Sequence, residues 1–275
     1  MILGFLTKDT AQQQYGLTPD STVFLDRRSH AYLGGVTEFL LAPMLTDAFQ
    51  DLAAVVRKGG TILPEGGSVA PEHPAWVRFA RAMMPMMLPA AQHIVQLVGA
   101  AAPDRPIKVL DIAAGHGIFG ILLAQNNPHA QVVAQDWPNV LEVASENARA
   151  AGVGDRYRLL SGNAFDVDFG GGYDLVLLTN FLHHFDPPTC ETLLRKVHAA
   201  LADGGRALAL EFVPNEDRIS PAVPAAFSLM MLGTTPSGDA YTFGEFETMF
   251  QHAGFARCEL HPLPATPEQA VVGFK

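Results

Sequence analysis

Cysteine is scarce: Cys190 and Cys258 are the only two in 275 residues. Two thiols so placed make no disulfide framework, which argues against a small stapled secreted fold and fits a reducing cytoplasm. Basic charge is short as well. Eighteen Lys and Arg stand against 28 Asp and Glu, a net charge of -10. Binding to nucleic acid or to an anionic membrane needs clustered cations, so neither is expected as a partner. Long unbroken apolar runs are missing too. The richest, Met83 to Val98, is interrupted by Pro85, Pro89, Gln92, His93 and Gln96, too often to span a bilayer. The opening MILGFLTKDT meets Lys8 and Asp9 at once and has no cleavage pattern, so no secretory signal is expected. The ten histidines form no H-x-x-x-H with a nearby acid and there is no C-x-x-C, so no metal is expected, even around His183, His184 and Asp186.

What remains is a chain rich in core-forming residues, 48% hydrophobic and 17% charged, long enough for one large domain with an accessory part. Residues 1 to about 33 alternate apolar and polar positions around a polar turn, which predicts a hairpin too small to fold alone. Residues about 34 to 102 read as helical. A linker at Pro103 to Pro106 then separates an accessory part, 1–102, from a second domain, 103–275. From Ile107 the pattern alternates: IKVLDIA, QVVAQD, RYRLLSG, YDLVLLTN and RALALEFV as strands, with helices between them. Such alternation predicts an α/β fold with a doubly wound, mainly parallel sheet. The strand-like runs ARCELHPLP and QAVVGFK are close in sequence, so the last strand should be antiparallel.

One stretch carries the chemistry. VLDIAAGHGIFG, Val109 to Gly120, is a strand running into a glycine turn and then a helix. Gly115, Gly117 and Gly120 fit G-x-G-x-x-G, and Asp136 follows roughly 20 residues on, the spacing at which an acid reaches a ribose diol. The glycines admit close approach of a ligand to backbone, and the helix start offers unpaired N–H groups. A tight turn with no ligand is the alternative. Asp111 stands four residues ahead of Gly115. A carboxylate there would repel a pyrophosphate and help to hold a cationic cofactor, which favours S-adenosylmethionine over a nicotinamide dinucleotide.

At this point the sequence resembles the class I S-adenosylmethionine-dependent methyltransferases, whose sheet has seven strands. DIAAGHG is similar to their D-x-G-x-G-x-G turn, with Ala113 in place of the first glycine. The resemblance implies cofactor contacts from Asp111, Gly115, Gly117, Asp136, the stretch Gly162-Asn163-Ala164-Phe165, and Thr179. Asn163 stands where the family has Asp. Trp137 either packs against adenine or is an ordinary core aromatic.

More specifically, the chain resembles the O-methyltransferases of phenolic small molecules, the plant caffeate and hydroxyindole types and their bacterial relatives in secondary metabolism. LTPDSTVFLDRRSHAYLGG is similar to the wing of their N-terminal winged-helix dimerisation domain, RFARAMMPMM to their substrate-lining helix, and NFLHHFDPPTCETLLRKVHAAL to the segment around their catalytic histidine. EFVPNED and TPSGDAYTFGEFETMFQHAGF are similar to their final segment. The implied reaction moves a methyl group to a hydroxyl of an aromatic acceptor. A phenol, with a pKa near 10, is a poor nucleophile until an imidazole takes its proton. The resemblance places His183 as that base, with His184 beside it as an open alternative, and Glu211 as the carboxylate that orients it. The family's second acid falls at Ala240, so Asp239 is expected to substitute. Met83, Met84, Met87, Phe227, Met230 and Met231 either wall an aromatic pocket or are simply core. Methylation of nitrogen, carbon or a carboxylate, and a nonmethylating relative, stay open as alternatives. A homodimer is expected, weakened because the chain starts inside the wing and leaves apolar surface near Ile2–Leu6 and Val36–Leu41 uncovered.

Overall fold

The computed structural model describes residues 1–99 and 105–275. The expected boundary at 102/103 and half of the linker lie outside the described residues. The N-terminal part begins with a hairpin, β1 (Leu6–Asp9) antiparallel to β2 (Gln14–Leu17), followed by α1 (Pro19–Phe24). Short helices come next: α2 (Thr37–Leu40), α3 (Pro43–Asp47) and α4 (Leu52–Lys58). Two longer ones, α5 (Pro74–Ala82) and α6 (Met84–Gly99), complete this part. The helical pattern is thus cut into pieces by Pro43, Gly59 and Gly60, Pro64 and Pro74, as their missing donors and backbone freedom require.

The alternating half follows its pattern closely. β3 (Lys108–Ile112), α7 (Ile118–Asn126), β4 (Gln131–Asp136), α8 (Pro138–Ala150) and β5 (Tyr157–Ser161) form one wing of the sheet. β6 (Tyr173–Thr179), α9 (Pro187–Ala200) and β7 (Leu201–Glu211) begin the other. α10 (Ala222–Thr234), α11 (Phe243–His252) and the hairpin β8 (Arg257–Pro262) and β9 (Gln269–Phe274) close it. The seven strands order as β5-β4-β3-β6-β7-β9-β8, all parallel through β7, with β9 antiparallel to both neighbours.

Strand periodicity sorts the core into two layers. Val109, Leu175, Leu177, Leu208, Leu210 and Val272 face α6, α7 and α8. Leu110, Ile112, Val176, Leu178, Ala207, Ala209 and Val271 face α9 and α11. Both faces are covered, which is why these strands are runs of apolar residues rather than alternations. Helix starts obey local chemistry. Asp186 caps α9 by accepting from Thr189 N–H, and Thr242 with Glu245 forms a capping box on α11. Gly152 takes the left-handed conformation just past α8.

Several apolar side chains stay outside the core. Ile2, Leu3, Phe5 and Leu6, and Leu40 and Leu41, are exposed, whereas Phe39 is buried against Trp76 and Phe79. No helix among the described residues is long and apolar enough to cross a membrane.

Phe250 is fully buried and packs edge-on to Phe255. Phe250→Ala should cost about 3–5 kcal/mol, measured by denaturant unfolding, while Leu229→Ala on the exposed side of α10 should change little.

Candidate active site

The strand order reverses between β3, which neighbours β4, and β6 on its other side. In open α/β sheets the crevice outside the carboxyl ends at that switch is where ligands bind. The glycine turn follows β3 there, and the NFLHH segment follows β6.

The turn is tightly built. Ala113 has φ +53°, a left-handed conformation that costs a β-carbon residue about 1 kcal/mol, and explains why glycine is the usual occupant. Gly117, at φ +77°, is the residue from which α7 departs. A Cβ there would stand 2.5 Å from the Tyr157 hydroxyl. Asp136, at the end of β4, accepts from Gly115 N–H at 2.9 Å and from Trp137 N–H at 2.7 Å. Those two bonds aim its carboxylate at the turn. Burial nonetheless raises its carboxyl to about 6.

Asp111 differs from its expected role. It is fully buried behind the turn, where Oδ2 accepts from Gly120 N–H at 3.2 Å. Burial is the largest cause that pushes its carboxyl up to about 8. That shift favours the protonated carboxyl and weakens any repulsion of a pyrophosphate. It braces the turn from behind.

Four buried polar atoms around this turn have no partner among the described residues: Asp111 Oδ1, His116 Nε2, Gln135 Oε1 and the Tyr157 hydroxyl. Unpaired buried polar atoms are costly and rare. Their clustering at one strand end marks a place built for a polar ligand or for water. Sequence reasoning missed His116 and Tyr157 because each reads as a core residue until the glycines are folded around it. His116 stacks on Phe79, whose ring lies against Gly115, and its imidazole is pushed down to about 3 by burial.

The remaining expected cofactor residues line the neighbouring strand ends. Gly162 N–H donates to the Asp136 carbonyl, and the Gly162 carbonyl accepts from the Gln135 amide. Asn163 closes its own turn, accepting from Phe165 N–H and donating to Asp166. Ala164 is buried, and Thr179 is buried at the end of β6. Trp137 is half-buried and packs against Ala80, Val140 and Val143.

The second focus lies after β6. His183 Nδ1 is 2.5 Å from Glu211 Oε2, with both side chains buried. Glu211 Oε1 also accepts from Phe181 N–H at 3.0 Å and Leu182 N–H at 2.8 Å. A carboxylate only accepts, so His183 carries its proton on Nδ1 and leaves Nε2 free as a base. His184 has a different environment. Its Nδ1 faces Ser68 Oγ at 3.3 Å, and its ring meets Trp76 edge-on. Burial, then the neighbouring His183, holds its imidazole well below the usual range. Among the described residues it has no carboxylate partner.

Asp239 is not brought to His183. Its carboxylate pairs with Arg218 at 3.0 Å and accepts from Ala240 N–H. The reason is local. Gly238 backs directly onto the His183 carbonyl with no room for a Cβ, and the next side chain turns out toward Arg218, which also grips Glu245. Phe227 is brought in: its ring meets His183 edge-on at 4.9 Å and stacks on Phe212 at 3.9 Å. Met87 reaches the site through its sulfur, 3.5 Å from the Asn180 amide. Met83, Met84, Met87 and Met230 belong to or pack on the large core cluster, and Met231 is buried.

Sheet order and paired strand-end sites together define a Rossmann-like methyltransferase fold. The chain belongs to the family of O-methyltransferase domains, whose family model matches residues 86–256. A solved structure from Nostoc punctiforme PCC 73102, described as an O-methyltransferase, is 56% identical over 100% of this chain and 82% of its own length, with a TM-score of 0.95. The tetracenomycin polyketide synthesis 8-O-methyl transferase TcmO of Streptomyces glaucescens is 27% identical over 92% of this chain and 74% of that protein. The L-tyrosine C(3)-methyltransferase of Streptomyces lavendulae is 29% identical over 60% of this chain. The matched stretch spans about half the length of that relative, 45%.

The two buried acids of the turn make stability depend on pH. Both have raised values, so the folded chain binds more protons than the unfolded one, and stability falls as pH rises from about 4 toward 8. Asp111→Asn should flatten that fall in thermal unfolding of the ligand-free protein. Equal slopes in both proteins would contradict the assignment.

Proposed function

We propose that this chain is an S-adenosylmethionine-dependent O-methyltransferase that acts on a hydroxyl of an aromatic small molecule. The observation that carries this reading is the buried His183–Glu211 pair beside the glycine turn. Family membership supports it, and so does the relative named as a tetracenomycin polyketide synthesis 8-O-methyl transferase.

The residues present fit the cofactor. Gly115 and Gly117 allow backbone approach, Asp136 would take the ribose hydroxyls, and the stretch 162–165 with Thr179 would border the adenine end. The cofactor, when bound, supplies an electrophilic methyl on a sulfonium. The chain must then hold an acceptor oxygen in line and remove its proton. Phe227 presents an aromatic face next to His183, suited to a flat ring. His183 Nε2 takes the hydroxyl proton as the oxygen attacks. Glu211 accepts from Nδ1–H throughout and stabilises the imidazolium that forms, and two backbone N–H groups keep that carboxylate in place. The proton then leaves to solvent.

His183→Ala should lower kcat by about 10²–10⁴ while leaving S-adenosylmethionine binding by calorimetry unchanged. Near-full turnover in that variant would point to another acceptor chemistry, such as the ring-carbon methylation for which the Streptomyces lavendulae relative is named.

The assembly is read as a homodimer that uses the exposed Ile2, Leu3, Phe5, Leu40 and Leu41. Two free thiols, Cys190 and Cys258, support a cytoplasmic location. Light scattering should give a dimer that Leu3→Glu with Leu41→Glu converts to monomer. A monomer before mutation would overturn the assembly.

A further inference from the structure

His184 is a buried imidazole beside the proposed base, and the reaction just described does not use it. Its ring centre lies 4.3 Å from that of His183. The two rings are held by different parts of the chain. Glu211 fixes His183 from the sheet, whereas Ser68, between α4 and α5, meets His184 Nδ1 at 3.3 Å.

The segment that carries Ser68 is firmly placed. Gly60 and Gly67 back onto the Pro236 and Thr234 carbonyls with no room for a Cβ, and Thr61 N–H donates to the Thr235 carbonyl. The Ser68 carbonyl accepts from the Trp76 indole N–H at 2.9 Å, and Trp76 meets the His184 ring edge-on.

This pairing fixes where His184 carries its proton. Ser68 is buried, and His184 is the only partner of its hydroxyl among the described residues. If Nδ1–H donated, the buried hydroxyl proton would be left without an acceptor, a costly arrangement. The satisfied one has the Ser68 O–H donating to Nδ1, which puts the His184 proton on Nε2. Burial, then the neighbouring His183, keeps the ring neutral. His184 Nε2–H is therefore a donor, while His183 Nε2, with its proton on Nδ1, is an acceptor. Neither Nε2 has a hydrogen-bond partner among the described residues, and neither is sealed in the core as the unpaired atoms of the glycine turn are. The rings around the pair are Trp76, Phe185 and Phe227. None of these is a cation that would pair with a carboxylate.

We propose that His184 is a specificity-determining residue that selects phenols with an uncharged acceptor oxygen, an ether or a carbonyl, at the ring position next to the hydroxyl. The inference rests on the proposed O-methylation with His183 as base. The hydroxyl donates to His183 Nε2, and the neighbouring oxygen accepts from His184 Nε2–H. In solution those two groups of the acceptor bond to each other. The histidine pair replaces that internal bond and frees the hydroxyl proton for the base. The proton passes to His183 as the O–CH3 bond forms and the S–CH3 bond of the sulfonium breaks. His184 keeps its own proton throughout.

The test compares ortho-methoxyphenol with para-methoxyphenol, isomers of similar acidity. The intact protein should favour the ortho isomer in kcat/KM by about tenfold or more. Calorimetry with S-adenosylhomocysteine present should show the same preference in binding. His184→Phe keeps a ring and loses the donor, and should abolish the preference. His184→Gln restores an amide donor and should keep most of it. Nitrogen NMR of the ligand-free chain should find the His183 proton on Nδ1 and the His184 proton on Nε2. A His184 proton on Nδ1, equal use of both isomers, or an unchanged preference in folded His184→Phe would overturn the proposal and leave O-methylation standing. Ortho-selective binding with no methyl transferred to either isomer would keep the subsite and reject the function.

Discussion

The structure depends on one buried carboxylate. Glu211 is wholly inaccessible at the end of a central strand, where an unpaired charge would be prohibitive. It is tolerated because three donors converge on it: two consecutive backbone N–H groups and one imidazole. Those backbone groups belong to the segment that leaves β6. The same bonds that satisfy the carboxylate thus fix the path of the loop and the direction of His183. Removing Glu211 would release both.

The glycine turn follows a similar logic on the other side of the switch point. Asp136 and Asp111 each hold a backbone N–H of the turn, one from the front and one from behind. The front acid, with a carboxyl near 6, is mostly ionised at neutral pH; the rear acid, near 8, is mostly not. One is suited to accept hydroxyl donors. The other is suited to carry the turn. Two identical side chains take different tasks because one is more fully buried, accepts one backbone N–H rather than two, and faces the charge of the other.

Much of this was legible in the sequence. All seven strands of the sheet are readable from the sequence, as is the antiparallel last strand: the central ones are apolar runs because they are buried on both faces, whereas the edge strands β5 and β8 are more exposed and are read from their place in the alternation. The Gly115–Gly117 turn with Asp136 was legible from spacing. The His183–Glu211 pair was legible only through resemblance, since nothing in HHF or LEF alone says which histidine meets the acid; the hydrogen bond decides it. Other features were hidden. Asp239 is drawn to Arg218, an ion pair that sequence spacing cannot reveal. His116 and Tyr157 read as core residues until the glycine turn is folded around them.

The proposed reaction is methyl transfer to an aromatic oxygen with His183 taking the proton. The most direct measurement is incubation of the protein with methyl-labelled S-adenosylmethionine and a panel of phenolic compounds, followed by NMR of the products. Transfer to a phenolic oxygen puts the label in an aryl methyl ether. Label on a ring carbon or nitrogen, or cofactor bound without transfer to any phenol, would contradict it.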